Sequence, residues 1–144
     1  MFELPSKNLC KRDEKLPRQG ILTTKAAARR AAVWSRQVAE VKLTCDVVAR
    51  VYNILPAALY SPTRGEAYVA RARQLAMYLA HVTFGLSLGA VGRHFGRDRT
   101  TAAYGCRQVE DRRDSPSFDF MLDRLEHALA ILSAVRFAAL EKLQ

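Results

Sequence analysis

Apolar side chains recur at three- and four-residue intervals along most of this chain, and no stretch alternates with a period of two over the length of a strand. The pattern predicts helices throughout and no sheet. The Ala/Arg-rich run TKAAARRAAVWSRQVAEV, Thr24 to Val41, favours helix by propensity but has a thin apolar stripe, with Trp34 as a packing residue. A second helix is expected from Thr44, as N-cap, through Tyr52, with Asn53 as its breaker. LPAALYSPTRG then reads as a turn and a loop, because two prolines, a serine and a glycine punctuate it.

Downstream, Glu66 to Thr83 places Val69, Ala72, Ala76, Leu79 and Val82 or Thr83 on one helical face. A short helix from Ser87 carries Leu88, Val91 and Phe95 and ends at Gly96. Another runs from Asp98 to about Arg113, with Ala102 or Ala103, Cys106 and Val109 turned inward. After Ser115-Pro116, the series Phe118, Met121, Leu125, Ala128, Leu132, Val135, Ala139 marks a long C-terminal helix. The expected fold is all-α: residues 1–22, with Pro5, Pro17 and Gly20, a flexible basic arm; residues 23–127 the folded domain; residues 128–144 a helical extension.

Gln74 to Gly92 holds no Lys, Arg, Asp or Glu, close to the length of a membrane-spanning helix. Gly85-Leu86-Ser87 interrupts it with a helix stop and an N-cap, so two helices without a membrane are expected. The N-terminus has no apolar core of a secretory signal. Cys10, Cys45 and Cys106 are odd in number and far apart, and read as free thiols of a reducing cytosol. His81, His94 and His127 are equally scattered, so no metal, cofactor or catalytic base is expected.

Charge changes the picture. The 144 residues carry 23 Lys+Arg against 14 Asp+Glu, a net charge of +9, which favours a polyanionic partner. Residues 1–36 and 61–115 hold the excess, at +6 and +4, whereas residues 37–60 are neutral and 116–144 come to −1. Within the second basic segment lies SLGAVGRHFGRDRTTAAYGCRQVEDRR: a short helix, a glycine-containing turn, and a helix opening on polar side chains. That is the layout of a helix-turn-helix, whose second helix reads the major groove with its first turn; an ordinary helical hairpin with a charged outer face shares it. Asp98 would cap the second helix, Arg99 could reach guanine, and Thr100 and Thr101 offer hydroxyls and methyls to bases. Arg93, Arg97, Arg107, Arg112 and Arg113 would meet phosphates or solvent.

The motifs ARQ-A-YLA (Ala72 to Ala80), SL-x-x-VG-x-x-FG (Ser87 to Gly96), RD-x-TT (Arg97 to Thr101) and CR-x-VE (Cys106 to Glu110) resemble, in order and spacing, the C-terminal DNA-binding domain of the bacterial replication initiator DnaA. The resemblance covers roughly residues 43 to 127. It implies that Arg73 and Gln74 contact phosphate and base edges at the rim of the site. Arg64 resembles the basic-loop arginine of the minor groove, if one extra residue is allowed before ARQ. Asp98, Thr100 and Thr101 match base-reading positions, and Arg97, Gly105 and Gln108 complete the expected DNA-contacting set. The chain departs from the family with a single Gly96 before Arg97-Asp98, with Arg99 in place of the usual His, and with Gln108 where Lys is common. A different or looser DNA site is therefore expected.

No GxxxxGK(S/T) phosphate loop is present, and no nucleophile paired with a base, so no enzymatic activity is expected. The resemblance implies a stand-alone, cytoplasmic and nucleoid-associated regulator of replication initiation or transcription that binds double-stranded DNA. The C-terminal helix either extends the core or forms a seam for a second copy or a protein partner. A helical adaptor that binds the initiator or RNA polymerase through that helix is the alternative. Lys11, Arg12, Lys15, Arg18, Arg29, Arg30 and Arg36 either add phosphate contacts or form a solvated tail.

Overall fold

A computed structural model of the chain describes the backbone from Gln19 to Gln144 and the side chains from Thr24 onward. Five α-helices follow one another: α1 Gln19–Tyr52, α2 Ala67–Phe84, α3 Leu88–His94, α4 Arg99–Arg112 and α5 Pro116–Leu143, with a 3-10 turn at Pro56–Tyr60 between the first two. The described residues are all-helical apart from their connections, as the periodicity predicts, and none of their helices is long and apolar enough to cross a membrane. Of the expected arm, residues 1–18 and Cys10 among them lie outside the described residues; from Gln19 the backbone is helical.

The two helices expected up to Tyr52 are one. Thr44 opens nothing: its hydroxyl donates to the Glu40 carbonyl at 2.8 Å, one turn back, and the side chain is fully buried. A threonine satisfied in this way sits in a helix interior, which the N-cap rule does not anticipate. Asn53 does end the helix, in the left-handed region at φ 53°.

The chain divides into two compact units, Met1–Ala32 and Val33–Gln144. In the first, every described side chain from Thr24 to Ala32 is exposed, Lys25, Arg29 and Arg30 included. The second holds the core. Its centre is α2, where Ala72, Leu75, Ala76, Leu79 and Ala80 are completely buried, along with most of their neighbours. The helix is therefore covered on nearly all sides rather than amphipathic, with Val82 exposed, and this explains the uncharged run without a membrane. It stops at Gly85, φ 68°, and Ser87 caps α3 by accepting the Ala90 amide at 3.1 Å.

The last helix corrects the expected stripe. Leu122, Leu129 and Ser133 are its buried positions, with Phe118, Met121 and Leu125 packed against the core, whereas Leu132 and Val135 are 44% and 61% exposed. Apolar residues occupy several faces of α5, so spacing alone offered two stripes and packing chose one. Arg113 ties α5 to the end of α4: it donates to Asp119 at 2.6 Å, Asp123 at 2.9 Å and the Tyr78 hydroxyl at 2.8 Å.

Between α3 and α4 the backbone closes on itself. A β-carbon at Gly92 would lie 2.7 Å from the Arg97 carbonyl oxygen and 3.0 Å from that of Asp98, neither of which can swing aside. Gly92→Ala is therefore expected to lower stability by about 1–3 kcal/mol, as overpacking does. Leu129→Ala, which empties a fully buried site, is expected to cost about 2–5 kcal/mol. Urea denaturation followed by circular dichroism checks both; an unchanged midpoint for Gly92→Ala would show that the turn has room.

Candidate nucleic-acid interface

Helix α4 is short, and its apolar side is narrow: Ala102, Gly105, Cys106 and Val109 are buried. Burial holds the Cys106 thiol up at about 11, and that of Cys45 at about 12, so both stay protonated and unreactive. At the helix start Asp98 adopts extended backbone, φ −79° and ψ 167°, and its carboxylate accepts the Thr101 amide at 2.7 Å. The Thr101 hydroxyl, and then that amide, hold Asp98 below the usual carboxylate range. With the cap in place, Arg99, Thr100 and Thr101 all stand exposed on the first turn. Thr100, Tyr104 and Arg107, spaced four and three apart, share the outer face.

Gly105 takes a place inside the helix packing rather than on the surface. A β-carbon there would come within 3.0 Å of Met77 Cε and 3.4 Å of Gln74 Cγ, so the glycine is what lets α4 lie close on α2. Gln108, one turn further along, is half-buried.

The 3-10 turn and the loop that leads from it to α2 are held by two arginines through their carbonyls. Arg73, from α2, donates to Leu59 O at 2.8 Å, Ala58 O at 3.2 Å and Arg64 O at 3.3 Å. Arg97, just before α4, donates to Ser61 O at 2.7 Å, Pro62 O at 3.0 Å and Thr63 O at 3.3 Å. Arg73 is buried, and that burial, followed by the neighbouring positive charge of Arg97, pulls its guanidinium below the ordinary value. Gly65, φ 67°, turns the chain into α2, and the Arg64 side chain is left exposed.

Loop, α2 and α4 enclose an open cleft of about 480 Å³ lined by Pro62, Arg64, Ala70, Arg73, Gln74, Met77, Arg97, Thr101, Tyr104 and Gly105. Six of the ten residues expected from the sequence therefore meet at one place. Asp98, Arg99 and Thr100 adjoin it on the first turn of α4, and Gln108 lies outside it. Sequence reasoning missed Tyr104, although its spacing from Thr100 and Thr101 was a usable signal. It also missed that Arg73 and Arg97 hold the loop, for which a separation of 34 to 36 residues between Arg97 and its acceptors leaves no local trace.

Because the folded value of Asp98 is lowered, its capping contribution is complete above the unfolded aspartate value and is lost as pH falls through the folded one. Protection of the Thr101 amide, its exchange measured against the unfolded-chain rate at the same pH, is expected to fall in acid in the wild type, and to be already low and insensitive to that titration in Asp98→Ala. Hydrogen exchange across the acid range reads this directly.

Residues 41–109 match the family model described as the bacterial DnaA protein helix-turn-helix. The chromosomal replication initiator proteins DnaA of Burkholderia multivorans and Burkholderia vietnamiensis are each 38% identical over 112 residues, covering 77% of this chain and 20% of theirs. The chain thus spans about a fifth of the length of these relatives. A crystal structure of a DNA replication initiation factor shares the fold with a TM-score of 0.66 at 23% identity, over 76% of this chain and 34% of that one. The segment 41–109, which holds most of α4 and the cleft beside it, is therefore similar to the helix-turn-helix domain of bacterial DnaA.

Proposed function

We propose that this chain binds double-stranded DNA with sequence preference, laying α4 in the major groove and Arg64 in the adjoining minor groove, and thereby regulates replication initiation or transcription. The observation that carries the reading is the cleft that joins an exposed loop arginine to the first turn of a capped helix. In this reading Arg99 and Thr100 reach base edges, with Asp98 beside them, and Thr101 and Gln74 face the backbone. Arg73 and Arg97 add positive charge while fixing the loop, Gly105 sets how close α4 sits, and Gln108 lies at the edge of the contact. A chain acting on chromosomal DNA works in the cytoplasm, at the nucleoid.

A second reading has its own support. Ile131, Leu132, Val135, Leu140 and Leu143 of α5 are all exposed, more apolar surface on one helix than solubility requires. In that reading α5 carries a protein contact, with a second copy of the chain, a replication initiator or RNA polymerase.

For about six neutralised phosphates, log K is expected to fall against log salt with a slope of about −5. A salt-insensitive affinity in a fluorescence anisotropy titration would sink the duplex-binding reading. Thr100→Ala is expected to cost about 1–2 kcal/mol on a preferred duplex and to flatten sequence preference, whereas Arg97→Ala weakens every duplex alike by loosening the loop. If Arg97→Ala binds as the wild type does, the loop has no part in binding. Leu132→Asp/Val135→Asp is expected to keep the DNA affinity and to abolish self-association or partner capture in sedimentation runs; a monomeric wild type that captures no partner removes the second reading.

A further inference from the structure

Two adjoining grooves of a duplex are separated by one strand of its sugar-phosphate backbone. A duplex with α4 in one groove and Arg64 in the next must therefore run that strand between them, along the cleft. On the α4 side the cleft is walled by Thr101, Tyr104 and Gly105. The two arginines nearby bring charge, but five of their nitrogens, Nε and both terminal nitrogens of Arg73 and both terminal nitrogens of Arg97, already donate to loop carbonyls. More than half of their N–H donors are thus spent on the fold, so a donor with no such engagement would add directed bonds to the phosphates.

We propose that Tyr104 is such a donor: its phenolic hydroxyl donates a hydrogen bond to a phosphate oxygen of the strand in the cleft. The inference rests on the duplex-binding reading above. Tyr104 is 49% exposed, and its hydroxyl makes no hydrogen bond among the described residues. It stands one turn beyond Thr100 and Thr101, far enough along α4 to leave the bases to the first turn. Beyond it the acidic Glu110 and Asp111 are exposed, so the helix turns away from the polyanion soon after. A phenol suits this place, since it donates at neutral pH without adding charge and its flat ring packs against a sugar.

The test uses the full chain and two duplexes, one enriched by the wild type from a random-sequence library and one unrelated. Tyr104→Phe is expected to bind both about tenfold more weakly, with the salt slope unchanged because no charge is lost. Replacing single phosphates of the enriched duplex by neutral methylphosphonates should reveal one position where the wild type loses affinity and Tyr104→Phe loses no more. Wild-type affinity in Tyr104→Phe, a loss confined to the enriched duplex, or methylphosphonate losses equal in both proteins at every position would each overturn the assignment while leaving duplex binding intact. If the wild type binds neither duplex, the duplex-binding reading itself fails and takes this contact with it.

Discussion

Six carbonyl oxygens between Ala58 and Arg64 find their donors on two guanidiniums, and the geometry of the whole interface follows from that pairing. Ala58 and Leu59 lie in the 3-10 turn, where Ala58 O also accepts the Ser61 amide at 3.3 Å, whereas Ser61 to Arg64 lie beyond it; each acceptor left dry costs about 1–3 kcal/mol. Arg73 comes from the buried centre of α2 and Arg97 from the turn before α4. The bonds that satisfy the loop therefore also set its place against α4. The cost is the burial of one guanidinium and, after it, the nearness of a like charge, which together lower Arg73's affinity for its proton. The carbonyl acceptors offset that repulsion locally.

Close packing makes this clamp possible. Gly105 lets α4 settle on α2 within contact of Met77 and Gln74, and Gly92 lets the turn after α3 fold back until the Arg97 carbonyl lies against it. Without Gly92 the turn would have to open and Arg97 would move away from the loop it holds, whereas a side chain at Gly105 would press on the flexible end of Met77. The small residues of α2, Ala72, Ala76 and Ala80, act in the same direction by letting neighbouring helices approach on every side. Stability and the shape of the interface are thus the same property of this domain.

The periodic pattern made the helical class, the α3–turn–α4 unit and the Asp98 cap legible, because these depend on spacing and on local hydrogen bonding. The DnaA-type motifs fell within one connected region for the same reason. What stayed hidden depends on partners distant in sequence. Thr44 looked like a helix start because a hydroxyl can serve an amide ahead or a carbonyl behind, and only the packed helix selects the second. The α5 stripe was misplaced because Leu129 and Leu132 are equivalent in composition, and the core took Leu129. Arg73 read as a surface contact, yet it is buried with its nitrogens spent on the loop; an arginine in a motif says nothing of which acceptors claim it.

Arg99 is the residue whose position the fold alone does not justify. It is exposed at the first position of α4, two residues after Arg97, in a first turn with no acidic residue beyond the Asp98 cap. The amides of a helix start carry partial positive charge, so a cation there works against the helix by roughly 0.3–1 kcal/mol. Among the described residues nothing repays this, since no acidic partner of Arg99 occurs among their ion pairs. A duplex would: its phosphates neutralise the helix start, and a guanine edge accepts the guanidinium in two places. In the duplex-binding reading, a side chain that weakens the free helix strengthens the bound one. In that same reading, arginine at a position where the resemblance to the DnaA domain implies histidine favours guanine as the base it meets.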